Sequence, residues 1–206
     1  MKALRFTSSL GLLAFVVAGC AIGRAPQHFH LLNAAPGARI DLATTAVGPG
    51  ILVVPTTAAP FYDAQAIVYS RASGTRSYYQ LNSWTEPPSR RVGALLTERL
   101  ADSGAFGSVA TVADGVDGRL LLSTNLEEMY HDARTGPGVA RIALTATLTD
   151  PARRAVIAQR RFMSSQPAAT EDAVGAVGAF DAALAPLLDE VVQWVAHSTT
   201  QVHASR

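Results

Sequence analysis

Cysteine and lysine are almost missing from this chain: its 206 residues hold one of each, Cys20 and Lys2. A lone thiol cannot close an internal disulfide, so folding must rest on a hydrophobic core, which a chain of this length can supply. Without a lysine beyond position 2 there is no amine for a Schiff base or a phosphate-binding loop. The preference for arginine reads as codon bias. The five histidines are scattered, so no metal-ligand cluster is visible. Neither a Gly-x-Ser-x-Gly elbow nor a His-Glu-x-x-His pair occurs. A large excess of positive charge is missing as well, the formal net charge being +1. Near-neutrality argues against nucleic acid as a partner, because that contact rests on phosphate neutralisation.

The front of the chain is where the composition turns specific. Lys2 and Arg5 are followed by no charge until Arg24, and between them runs an apolar stretch from Leu10 to Ala18. A basic start and a short apolar run describe a secretory signal. That run is far shorter than the ~20 apolar residues of a permanent membrane helix. Val17-Ala18-Gly19-Cys20 looks like a lipobox, in which the cysteine thiol receives diacylglycerol and becomes the new N-terminus. An uncleaved anchor helix across the uncharged stretch from Phe6 to Gly23, or an ordinary thiol beside a conventional cut, are the competing readings. The lone cysteine favours the lipobox, since it gives an otherwise unpaired thiol of an exported chain a purpose. Ala21 stands where many inner-membrane-retained lipoproteins carry aspartate, which favours the outer membrane. Once Lys2 and Arg5 leave with the signal, fifteen arginines face sixteen acids, a net charge of about −1.

The expected organisation is a signal peptide at 1–19, a tether at 20–27, one domain at 28–197 and a polar, frayed tail at 198–206. His28 to Leu32 reads as a first strand with His28 and His30 on one face of an edge. Ile51 to Val54, bounded by Gly50 and Pro55, reads as a buried strand. Ala66 to Ser70 and Ser77 to Leu81 suggest a hairpin. Pro87-Pro88-Ser89 opens a helix whose Val92, Leu95, Leu96 and Leu100 recur at helical spacing, with Gly104 placed to end it. Phe106 to Val112 could be a short strand. Leu120 to Leu126 and Val139 to Thr149 are longer strands, the second alternating apolar and polar residues. Asp150 to Arg154 turns the chain, and Ala155 to Met163 returns antiparallel. A closing helix is expected after an N-cap at Thr170, with a stripe from Val174 through Val177, Asp181, Leu184, Leu188, Val191 and Val195. Pro186 inside it predicts a kink or break near Ala185. The order implies an α+β fold, a mostly antiparallel sheet with two main helices packed on one face.

Within this frame, Ile51 to Phe106 resembles the auxiliary lipoprotein family of ABC-type transport systems, the group that includes paraquat-inducible protein C. The resemblance lies in Val54-Pro55, Tyr62-Asp63-Ala64-Gln65, Ile67-Val68-Tyr69-Ser70-Arg71, Tyr78-Tyr79, Trp84-Thr85-Glu86-Pro87-Pro88 and the Leu100 to Phe106 helix end. Thr85 departs from the family's usual alanine. The resemblance implies a partner, a membrane protein bearing a mammalian-cell-entry (MCE) domain, working with an ABC permease and an ATPase to move lipids or other hydrophobic molecules across the envelope. It implies no catalytic residue and no cofactor. Homo-oligomers stay open, as does a second reading, a module holding a lipid or other apolar ligand in a groove between sheet and helix.

The candidate residues for partner or ligand contact are Tyr62, Asp63, Tyr69, Tyr79 and Trp84. Each has a structural alternative. Trp84 could pack beneath the helix start, Asp63 could form a turn, and Tyr69, Tyr78 and Tyr79 could stabilise one another across strands. A third function, a hydrolase using Ser123, His131 and Glu127 or Glu128, or a metal on the same glutamates and His131, is the weakest.

Overall fold

A computed structural model describes residues 25–37 and 48–204. The signal segment and Cys20 lie outside the described residues. Among the described residues nine strands form one sheet: β1 (His28–His30), β2 (Ile51–Val53), β3 (Thr57–Ala58), β4 (Ala66–Ser70), β5 (Ser77–Trp84), β6 (Val109–Thr111), β7 (Leu120–Asp132), β8 (Val139–Asp150) and β9 (Ala155–Pro167). Two helices, α1 (Pro88–Asp102) and α2 (Ala173–Ala204), complete the domain.

The long strand β7 is the spine. Along one edge it pairs antiparallel with β8, and β8 pairs antiparallel with β9. Along the other edge three short strands dock in succession, all parallel: β2 on Leu120–Leu122, β3 on Asn125–Leu126 and β4 on His131–Asp132. β6 adds to β2 in parallel, β5 to β4 antiparallel and β1 to β5 in parallel. The α+β class stands, but the sheet is mixed rather than mostly antiparallel. Runs as short as Ile51–Val53 carry no information about partner direction, and the long excursion through the β4–β5 hairpin and α1 lets the chain return to pair in parallel.

The helices and sheet share one core, centred on Phe162, Phe180, Leu96, Leu122, Leu144 and Leu188. In α1, Pro88 occupies the first turn, and Val92, Leu95, Leu96 and Leu100 are buried. Gly104 ends it at φ +68°, a left-handed position that glycine takes without a Cβ penalty. The buried stripe of α2 runs Ala176, Ala179, Phe180, Ala183, Leu184, Leu187, Leu188, Val191, Val192 and Val195. Val174, expected on that stripe, is 65% exposed. Its cap is Asp172, whose carboxylate accepts the Gly175 N–H at 2.8 Å, rather than Thr170, which donates to Asp172.

One further expectation about α2, a break near Ala185, is corrected. The helix runs unbroken past Pro186, which removes an N–H and leaves the Ala182 carbonyl without its i+4 donor. Both residues face water, which can satisfy that carbonyl, while Leu184, Leu187 and Leu188 on the opposite side anchor the helix. The tail expected to fray from Ser198 continues as helix, with Ser198 and Thr199 buried.

Candidate functional site

Chemistry-bearing side chains gather where the β4–β5 hairpin meets the C-terminal end of β7. Tyr69 registers with His131, and Tyr79 lies one step along the same face of β5. The Tyr69 and Tyr79 rings are 4.6 Å apart, and Tyr79 and His131 stack loosely at 6.4 Å. Pairing of aromatics across strands is the ordinary way in which such residues stabilise a sheet.

His131 is wholly buried and bonded at both ring nitrogens. Its Nε2 lies 3.0 Å from the Pro137 carbonyl, which can only accept, so Nε2 carries the proton. Nδ1, 2.8 Å from the Tyr79 hydroxyl, must then be the acceptor. Burial pushes His131 below the usual imidazole value and lifts the Tyr79 phenol to about 12. Both are neutral at physiological pH. The pair is structural.

Next to it, Asp132 accepts both Nε and a terminal nitrogen of Arg134 at 2.7 Å, and Nε of Arg141 at 2.9 Å. The hydrogen bond from Arg134 leads in holding this carboxyl far below the ordinary aspartate range. Glu127 is also engaged, accepting from Thr145 and Arg161, each at 2.5 Å. It sits at the one irregular step in the β7–β8 register, between Leu126 and Glu128. Ser123 lies eight residues from His131 on the same strand, roughly 26 Å away. A nucleophile and base must be within hydrogen-bond reach. The proposed Ser123–His131 arrangement is therefore not assembled.

The residues singled out from the sequence divide in two. Trp84 is buried and packs edge-to-face on Phe180, ring centroids 5.7 Å apart, which is the packing role. Asp63 accepts the Ser89 hydroxyl, tying the 60–64 loop to the first turn of α1. Tyr62 accepts from Arg76 Nε at 3.1 Å. Tyr69 lies under the Arg71 guanidinium at 5.4 Å. None of these five lines the cleft beside α1. Sequence reasoning missed the stack of Phe61 on Tyr78 at 4.6 Å and the two-arginine clasp on Asp132. The first had no local signal, because the rings lie on separate elements. The second had one, in the short spacing of Asp132, Arg134 and Arg141 across a turn. The cleft beside α1 is lined by Arg91, Glu98, Arg99 and Asp102 among others, charged walls unlike those of a lipid site.

The model of the family described as ABC-type transport auxiliary lipoprotein component matches residues 29–192, from β1 through most of α2. The chain belongs to that family. Among solved structures, protein XCC0632 from Xanthomonas campestris superposes with a TM-score of 0.76 at 22% identity, covering 85% of this chain and 99% of that one. CT253 from Chlamydia trachomatis gives 0.53 at 10% identity, covering 75% and 98%. At these identities the likeness shows a shared fold. A search of curated proteins found no match. Among the described residues of this auxiliary lipoprotein, no helix is long and apolar enough to cross a membrane.

Proposed function

We propose that this auxiliary lipoprotein is the outer-membrane-side subunit of an envelope transport system for lipids or other hydrophobic molecules. Its partners are an MCE-domain membrane protein, an ABC permease and an ATPase. Acylated Cys20 holds it to the periplasmic face of the outer membrane, and it acts by contact rather than by catalysis. The observation that carries the reading is the family match over residues 29–192, starting just past the tether that follows Cys20. Two or more acyl chains hold a protein firmly where one binds only marginally, so a fully acylated cysteine suffices as an anchor. The engaged state of His131, Asp132 and Glu127 supports a role without a reaction centre.

The alternative, a module with a lipid in a groove between sheet and helix, would need room where Phe162, Phe180, Leu184 and Leu188 now pack. Co-purification from detergent extracts with an MCE-domain protein of the same cells is the decisive experiment. The expected result is a stoichiometric complex. A chain that stays monomeric and unbound with that partner present overturns the proposal.

A further inference from the structure

One apolar patch sits where the tether joins the domain. Phe29 and Leu31 are 61% and 52% exposed, although the strand could have turned polar residues outwards at both positions. Leu32, next along the chain, is buried, so the alternation of a strand puts Phe29 and Leu31 together on the outer face. Phe29 registers with Ser83 of β5, and Leu81, on the same strand within the stretch where the β4–β5 register shifts, is 46% exposed. Three large apolar side chains are thus exposed on the adjoining segments at the β1 edge of the sheet. Grouped exposure of this kind marks an interaction surface, whereas single exposed apolar residues are ordinary.

The chain itself indicates what lies against it. The Gln27 amide donates to Ser83 Oγ at 3.1 Å, so the tether leaves the domain across this same face. Eight Cα-to-Cα steps separate Cys20 from His28. Fully extended they span at most about 29 Å, and the polar headgroup layer of one leaflet is only about 5–8 Å deep. A lipidated Cys20 therefore keeps the patch close to the bilayer. The surroundings suit such a contact: no Asp or Glu occurs between Cys20 and Asp41, and β5 carries no charged residue. The segment that carries Phe29 and Leu31 thus brings no acidic side chain of its own to anionic headgroups, and β5 brings no charge that would have to be stripped of water.

We propose that Phe29, Leu31 and Leu81 form a membrane-docking surface that inserts into the interfacial layer of the same phospholipid leaflet that holds the acylated Cys20. The contact fixes the orientation of the domain, laying the β1 edge on the bilayer and leaving β9, five strands away, projecting into the periplasm. The inference rests on the anchoring proposed above.

The test uses the full acylated chain in vesicles of phosphatidylethanolamine and phosphatidylglycerol. Because the lipid consumes the sulfur of Cys20, a polarity-sensitive dye can be placed on a single new thiol in Phe29→Cys, Leu31→Cys or, for comparison, Met163→Cys. Met163 is 68% exposed on β9, about 24 Å from β1 across the sheet at the usual strand spacing. Expected are a blue-shifted dye at 29 and 31, and quenching by doxyl-labelled lipid several-fold stronger there than at 163. Vesicles that float with the protein while all three dyes stay equally wet overturn the docking surface and leave the anchor standing. A blue shift at 29 that doxyl lipid does not quench means that protein, such as a second copy, covers the patch, and this also overturns it. Protein that fails to float refutes anchor and surface together.

Discussion

Tyr79 donates its phenolic proton to Nδ1 of His131 across 2.8 Å, joining the hairpin strand β5 to the end of the spine strand β7. The two groups sit on different strands, separated by the whole of α1 in sequence, and each removes the other's unpaired polar atom. Tyr79→Phe leaves Nδ1 of a buried imidazole without a donor. We expect a loss of about 1–3 kcal/mol in urea unfolding, the cost of an unsatisfied buried acceptor, with little change in the β-sheet circular dichroism.

Stability should also fall as the medium is acidified, in two stages. The folded His131 value is depressed, so the imidazole is protonated in the unfolded chain first. Its contribution is fully present above the unfolded value of about 6.5 and declines below it. Asp132 is depressed as well, chiefly by its hydrogen bond from Arg134, so its contribution is present above an unfolded value of about 3.9 and is lost below that. Melting temperatures recorded from pH 8 down to 3 check this. In the double variant Tyr79→Phe, His131→Leu the slope near pH 6 should vanish while the one below pH 4 remains.

Gly138 is the tightest backbone position around that histidine. It holds φ +93°, and a Cβ there would lie 2.2 Å from His131 Nε2. Gly74, at φ +71°, has nothing within 4 Å of its virtual Cβ. Both alanine variants pay the left-handed strain of roughly 1–2 kcal/mol, but only Gly138→Ala must also displace the imidazole. Denaturation should show Gly138→Ala as the more damaging by at least about 1 kcal/mol.

Arg99 is the buried cation of α1, only 8% exposed. It donates to Asp189 at 2.6 Å and to the Ala185 carbonyl at 3.2 Å on α2, and also to the Ala35 carbonyl. Arg99→Met keeps the apolar stem and removes those bonds. Because Asp189 retains solvent contact, we expect a loss of about 2–3 kcal/mol, below the figure for a fully buried pair. If stability were unchanged, the helix–helix contact would depend on apolar packing alone.

Pro186→Ala should stabilise the protein. The substitution restores the hydrogen bond to the Ala182 carbonyl inside a continuous helix, where proline costs up to about 3 kcal/mol relative to alanine. A gain of about 1 kcal/mol or more, read as a higher melting temperature, is the expected outcome.

Element positions were largely legible in the residues, because periodicity is local. The alternation of Ile142, Leu144, Ala146 and Leu148 marked β8, and the spacing of Val92, Leu96 and Leu100 marked α1. The proline in α2 misled for the same local reason. A break at Pro186 follows from the backbone alone, whereas the apolar side chains around it bind the helix to the sheet from both ends. The candidate site was less legible. Tyr79 and His131 were each visible, but their pairing depends on β4 and β5 reaching β7, and no pattern within either segment encodes that approach.

By itself the sequence determined the α+β class and the family resemblance. These are properties of short windows and counts, which do not depend on how the chain folds back. The tertiary structure alone decided that three short strands dock parallel on one edge of β7, that His131 is sealed by Tyr79 and Pro137, and that Phe29 and Leu31 face outwards beside Leu81. Such relations join residues far apart in the chain, and they come about only when burial of a common core selects one register among many that local propensity allows.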